Sequence, residues 1–233
     1  MTHRFYTGKL TTKEGEFELR DNLWVQDKEL VNQVLRVLRM RTGEELVLFD
    51  GQGTERLYKI DVIEDKAFHA VRVTDYEPKY PKRKVNLAFS LLKKDKNEWV
   101  IQKATELGVT RLLPVYTERT EKTGFDSERA EKIAIEASEQ CGRHSLPFIN
   151  EPQDLESVVG QLQRSMRVCV ADMDGEVFVD DGCEEVLVLV GPEGGWSDKE
   201  REYFALQSIP RINLGSFTLR AETACVAAVQ LLA

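Results

Sequence analysis

The segment Glu185-Val-Leu-Val-Leu-Val-Gly-Pro-Glu-Gly-Gly-Trp-Ser-Asp-Lys-Glu200 drives an apolar run into a glycine bend and the bend into a helix. Val186 to Val190 are uninterruptedly apolar, the pattern of a strand covered on both faces, as parallel strands in α/β sheets are. Ser197 followed by Glu200 is a capping box, so the helix starts there. Gly191, Gly194 and Gly195 can take backbone angles closed to other residues and leave the main chain open to a ligand. Ligands of open α/β sheets bind beyond the carboxyl ends of strands, which makes this bend a candidate site. Its spacing matches neither G-x-x-x-x-G-K-[ST] nor G-x-G-x-x-G, and Glu193 would repel a polyphosphate while suiting a cation or a hydrogen-bond donor. A tight turn without a ligand is the alternative.

A second bend of the same kind lies in Ile212-Asn-Leu-Gly-Ser-Phe-Thr-Leu-Arg-Ala-Glu-Thr-Ala224, where a short apolar stretch ends in Gly215 and a helix begins near Arg220. From Val85 onward the pattern alternates. Strands are expected at 85–91, 111–116, 167–171 and 186–190, and helices at 97–107, 127–141, after Ser197 and after Arg220, with Gly108 as a C-terminal cap. Alternation of this kind specifies an α/β fold, a parallel sheet with helices on its faces. Before it, 45–49, 57–63 and 68–74 read as strands around one helix from about Lys28 to Leu38, which suggests a small β-barrel. Glu77-Pro-Lys-Tyr-Pro-Lys-Arg-Lys84 is charged, proline-punctuated and aperiodic, and reads as a linker. The expected division is 1–75, linker 76–84 and 85–233.

With 233 residues and 42% hydrophobic content the chain can build two cores. It has no apolar run long enough to span a membrane, and its amino-terminal residues lack an apolar signal core, so a cytoplasmic location is expected. Cys141, Cys169, Cys183 and Cys225 lack metal-ligand spacing, and no zinc or other metal is expected. Cys225 lies in an apolar helix without a neighbouring base, an inert packing thiol. The formal charge of −8 opposes nucleic-acid binding, but it is unevenly distributed: residues 1 to 100 hold 19 Lys+Arg against 17 Asp+Glu, the remainder 13 against 23. Lys79–Lys84 and Lys93–Lys96 are basic clusters that suit either RNA or a solvated face.

Gly-Pro-Glu-Gly-Gly at 191–195 together with Leu-Gly-x-x-x-Leu-Arg-x-Glu-Thr-Ala at 214–224 resembles the RsmE family of SPOUT methyltransferases. Agreeing segments run in order along nearly the whole chain: Val34–Arg39 before Gly43, Phe49-Asp-Gly-Gln-Gly53, Gln102-Lys-Ala-Thr-Glu-Leu-Gly108, Pro114–Arg119, and Glu139-Gln-Cys-Gly-Arg143 before Pro147. The resemblance implies a carboxyl-terminal SPOUT α/β domain with a trefoil knot and a PUA-like RNA-binding β-barrel before it. It implies a homodimer that uses S-adenosyl-L-methionine to methylate N3 of one uridine in 16S ribosomal RNA, within the small ribosomal subunit.

On this resemblance Val190, Gly191, Pro192, Glu193, Gly194 and Gly195, with Leu214, Gly215, Leu219, Arg220 and Thr223, are the expected cofactor residues. Arg220 and Glu222 are the expected catalytic pair, Arg220 facing charge that develops on uracil and Glu222 accepting the proton. Both also suit a helix start with no catalytic role. Arg4, Arg36, Arg39, Lys93, Lys94, Arg119 and Arg143 are the expected RNA contacts. The chain departs from the family at Phe217, where Arg is usual, and at Thr120, where Ser is common. Rival readings are a SPOUT enzyme acting on a ribose 2′-hydroxyl and an RNA-binding assembly factor without catalysis.

Overall fold

The computed structural model describes residues 2–8, 11–12, 15–16, 18–93, 95–121 and 124–233. They group into two compact units, residues 1–79 with 138–146, and residues 80–137 with 147–233.

In the first unit β1 (His3–Tyr6) is followed by a two-residue pair, β2 (Thr11–Thr12) and β3 (Gly15–Glu16), then by β4 (Asn22–Val25) and α1 (Lys28–Val31). Asp27 caps α1 by accepting from the Leu30 amide at 2.9 Å. The helix continues as a π-helical turn over Asn32–Val37 before β5 (Glu45–Phe49), β6 (Glu55–Glu64) and β7 (Ala67–Asp75). The sheet order is β1-β5-β6-β7-β4, with β1 parallel to β5 and the other pairs antiparallel. Leu30, Val31 and Val34 join Phe5, Leu46, Leu48, Tyr58 and Phe68 in one core. The sequence places Leu35 and Leu38 on the same helical face, but both are only partly buried. The wide turn is the reason: Leu38 N–H reaches back five residues to Gln33 O, which rotates the last side chains off an α-helical register.

The second unit runs β8 (Lys84–Ser90), α2 (Lys96–Glu106), β9 (Arg111–Tyr116), α3 (Ser127–Cys141), β10 (Phe148–Ile149), β11 (Gln153–Asp154), α4 (Leu155–Leu162), β12 (Arg167–Val177), β13 (Glu185–Val190), α5 (Asp198–Leu206), β14 (Arg211–Asn213) and α6 (Ala221–Leu232). Every pairing in its sheet is parallel, in the order β10-β9-β8-β13-β12-β14, with β11 also on β9. This is the expected α/β fold of SPOUT type, with a small antiparallel-rich unit before it. The strands and helices expected from 85 onward all form, with bounds shifted by a residue or so, apart from β12. That strand extends to Val177, past an irregularity between Ala171 and Glu176 where β14 pairs with it. The apolar run ends at Ala171, so the polar extension carries no hydrophobic signal. The short elements β10, β11 and α4 were not expected.

β13 is the middle of this unit. Val186, Val188 and Val190 point into one cluster with Val100, Ile101 and Ala104 of α2 and Cys225, Ala228 and Val229 of α6. Leu187 and Leu189 point into the other, with Val158 and Val159 of α4 and Phe204 of α5. Gly108 follows α2 at φ +87°, as a helix-ending glycine should. Leu187→Ala removes a fully buried side chain from the central strand and should cost about 2–5 kcal/mol, read as a fall in the urea midpoint with little change in slope.

Candidate active site

The β13–α5 bend is held from behind by Trp196. Its indole is buried, donates from Nε1 to Ala171 O at 2.9 Å, and meets Phe204 edge-on with centroids 5.0 Å apart. A Cβ on Gly191 would stand 3.0 Å from that ring, so a side chain there fits only if the indole gives way by a few tenths of an ångström. Only Gly195 of the three glycines takes a left-handed angle, φ +67°. At Gly194 a Cβ would meet only Arg119, with its Cδ at 3.4 Å, an ordinary contact.

The capping box forms as expected. Ser197 Oγ accepts from Glu200 N–H at 3.2 Å and Glu200 Oε2 from Ser197 N–H at 2.7 Å. Glu200 also accepts the Glu118 amide at 2.9 Å, and Arg119 Nη1 donates to Gly194 O at 2.7 Å. The 117–120 turn is thus tied to the bend, and a hydroxyl cluster orders it. Thr120 Oγ1 lies 2.8 Å from both Ser90 Oγ and Thr117 Oγ1. Thr120 therefore supplies the hydroxyl that Ser would.

The two glycine bends line one cavity of about 500 Å³, within the range of small-molecule sites. Val190, Gly191, Pro192, Glu193 and Gly195 form one side, and Leu214, Gly215, Leu219 and Arg220 the other. Gly194, Glu222 and Thr223 are not in the lining. Arg220 is the N-cap residue of α6 and exposed; its carbonyl accepts from the Ala224 amide at 2.8 Å, and its side chain makes no hydrogen bond or ion pair among the described residues. Phe217, also lining, is 81% exposed at the rim.

Several lining residues lay outside the expected set. Asp172, with its carboxylate buried, pairs with Arg201, which lines the cavity beside it. Trp196 is another. So is Lys96, whose Nζ stands 3.1 Å from Glu193 Oε1 and 3.2 Å from Glu222 Oε2. The hydrogen bond to Glu193 is the main cause raising the Lys96 pKa. Partial burial alone would raise Glu193, but its own amide, Lys96 and the Lys93 amide together hold it below the usual range. The sign follows for each partner. Glu193 stabilises the fold above its unfolded pKa and loses that contribution as pH falls; Lys96 stabilises below its unfolded pKa and loses it as pH rises beyond the raised value. The pair is intact across the neutral range. Asp172 had one legible signal, its place just after the apolar run 168–171 at a strand's carboxyl end.

The expected RNA residues divide. Arg4, Arg36, Arg39 and Arg143 lie in the first unit, Lys93 and Arg119 in the second with the cavity, and Lys94 lies outside the described residues. Arg36 is exposed and 3.2 Å from Asp65; Arg39 is exposed at φ +55° just past the helix. Arg4 pairs with buried Glu55 and donates to Arg143 O at 3.3 Å. Arg143 is half-buried, and desolvation lowers its pKa to about 10. Lys93 pairs with Glu121 at 2.6 Å. His144 is buried and accepts from the Lys79 amide at 3.3 Å. Cys225 is fully buried, and desolvation pushes its thiol pKa up.

The family model described as RNA methyltransferase domain matches residues 78–233, and that described as RNA methyltransferase PUA domain matches 34–72. A ribosomal RNA small subunit methyltransferase E from Rickettsia conorii is 32% identical over 97% of this chain and 93% of its own length. The chain belongs to the ribosomal RNA small subunit methyltransferase E family. The Bacillus subtilis member is 30% identical over 84% of each chain. Among solved structures, the Neisseria gonorrhoeae member bound to S-adenosyl methionine superposes with a TM-score of 0.85 at 25% identity, covering 98% of this chain and 95% of that one. A Legionella pneumophila methyltransferase in complex with the bound cofactor SAM gives 0.79 at 29% identity, covering 100% and 97%.

Gly191→Ala in this family member would push a methyl against a ring that is itself fixed by the Ala171 carbonyl. The expected loss is about 1–3 kcal/mol of stability, measured by denaturant titration, together with weaker binding of any ligand of the cavity.

Proposed function

We propose that this chain is an S-adenosylmethionine-dependent RNA methyltransferase that methylates N3 of a uridine in 16S ribosomal RNA of the small subunit. The observation that carries the reading is the single cavity lined by both glycine bends, in a chain whose family includes a member solved with S-adenosyl methionine. The lining suits that compound. Val190, Leu214 and Leu219 offer apolar walls, and the backbone at 191–195 can approach closely because Gly191 and Gly194 lack side chains. Gly215 lines the same cavity, and Thr223 sits in the first turn of α6.

When bound, the cofactor supplies an electrophilic methyl group. Transfer to a nitrogen needs no covalent intermediate, so positioning and charge placement dominate. Arg220, exposed on the lining, faces the charge that develops on the uracil. Glu222, with one oxygen held by Lys96, accepts the N3 proton through its other oxygen or through water. Arg119, braced on Gly194, keeps the bend in shape and presents its remaining donors to RNA. Arg36, Arg39 and Lys93 supply exposed positive charge for phosphates, with Lys94 beside them in sequence. Arg4 and Arg143 serve by shaping the first unit.

The reading includes a homodimer, a cytoplasmic location, a trefoil knot in the segment after about Val168, and a division into a PUA-like barrel over 1–75, a linker over 76–84 and a methyltransferase domain over 85–233. No helix among the described residues is long and apolar enough to cross a membrane.

Calorimetry with S-adenosylmethionine, and nucleoside mass mapping of 16S RNA after incubation of purified protein with small subunits and cofactor, test the proposal together. A gain of 3-methyluridine supports it; a gain of a 2′-O-methyl nucleoside, or no cofactor binding, refutes it. Arg220→Ala should lower kcat about 10²- to 10³-fold with an unchanged melting temperature. Full activity in that variant would remove Arg220 from the mechanism.

A further inference from the structure

Lys96 is the first residue of α2, where the positive end of the helix dipole disfavours a cation. Helix stability does not account for a lysine there. What the position provides is reach: one ammonium, with three donors, stands 3.1 Å from Glu193 Oε1 and 3.2 Å from Glu222 Oε2. Glu193 belongs to the β13–α5 bend and Glu222 to the first turn of α6, immediately after the second bend. The two bends are joined through this side chain. Lys96 is itself only 27% exposed, and Glu222 is 14% exposed, so the contacts are partly shielded from solvent and salt.

The start of α2 is braced by Asn97. The neighbouring Asn97 is buried, accepts from the Leu92 amide at 2.8 Å and donates to Leu92 O at 3.3 Å. That reciprocal pair ties the first turn of α2 to the chain leaving β8, so Lys96 projects from a fixed base. The raised pKa of Lys96 and the lowered pKa of Glu193 keep both charged at neutral pH.

We propose that Lys96 is a positioning residue that locks the two glycine bends to each other and thereby holds the cavity in its cofactor-binding shape. This rests on the reading of the cavity as an S-adenosylmethionine site. The clamp itself is a property of the ligand-free chain and can be tested apart from that reading.

The experiment has two arms, on wild type, Lys96→Met, Lys96→Arg, Glu193→Gln and the Lys96→Met/Glu193→Gln pair. In the first, amide hydrogen exchange of the ligand-free proteins is followed. Lys96→Met should speed exchange at 193–196 and at 221–224 together, while the β-strand core is unchanged. Faster exchange at one bend alone, or at neither, overturns the proposal. In the second, calorimetry with S-adenosylmethionine and S-adenosylhomocysteine should show Lys96→Met weakening binding about tenfold, the scale of losing one charge-assisted contact. Lys96→Arg should recover most of that loss, and Glu193→Gln should add little once Lys96 is gone. Unchanged cofactor affinity with a raised KM for RNA overturns the proposal and makes Lys96 an RNA contact. If wild type binds neither compound, the functional reading fails, and the exchange arm alone decides the clamp. Should Lys96→Met not fold, Lys96→Gln supplies the same comparison, since it removes the ammonium while keeping a polar side chain at the start of α2.

Discussion

Burial of β13 on both faces is the constraint from which the site follows. A strand whose odd and even side chains fill two different clusters cannot tilt or slip without exposing one set, so its end is fixed in space to within the packing tolerance of the core. The chain must leave that end abruptly, because both faces are already covered by helices. Glycine at 191 lets it turn flat against Trp196, and the left-handed Gly195 then reverses it into α5. The bend is a consequence of the core, and its open backbone is what makes it suitable for a ligand.

The second bend depends on the first through α6. That helix packs its buried face, Cys225, Ala228, Val229 and Leu232, into the same cluster as Val186, Val188 and Val190. Its first turn is therefore carried to the carboxyl end of β13, which brings Arg220 and Glu222 beside Gly191–Gly195 although they are distant in sequence. Packing alone sets this to the precision of a helix docking on a sheet. The polar contacts of Lys96 refine it, since a hydrogen bond of 3.1 Å to Glu193 and an ion pair of 3.2 Å to Glu222 tolerate less displacement than apolar contact does.

Much of this was legible from the residues. The apolar run 186–190, the capping box at Ser197 and Glu200, and the alternation after Val85 report strong local preferences that agree with the tertiary fold, so each reads correctly in isolation. β1 and β4 escaped because four residues of mixed polarity carry no period. β12 was read short because its extension past Ala171 is held by pairing with β14 and not by burial. Among site residues, the glycines and Arg220 were found because their motifs are contiguous. Lys96, Asp172 and Arg201 were missed because each matters through a partner more than ten residues away, and a lysine in the run 93–96 looks like its solvated neighbours until Glu193 and Glu222 are seen around it.

The same distinction separates the cations open to a phosphate from those already engaged. A guanidinium used for phosphate recognition needs free donors at the surface, whereas Arg4 and Arg143 are drawn inward, the first onto Glu55 and the second into a setting where burial opposes its charge. Placing Arg4 on a phosphate would require breaking its pair with Glu55. Arg36 and Arg39 carry no such cost: one pairs weakly with an exposed aspartate, a contact that solvent screens readily, and the other stands exposed beyond the π-helical turn. The left-handed φ of Arg39, unusual for a residue with a side chain, points the chain away from the helix axis at that place. A net charge of −8 does not by itself exclude contact with phosphates, because such contact depends on accessible cations and not on the total charge.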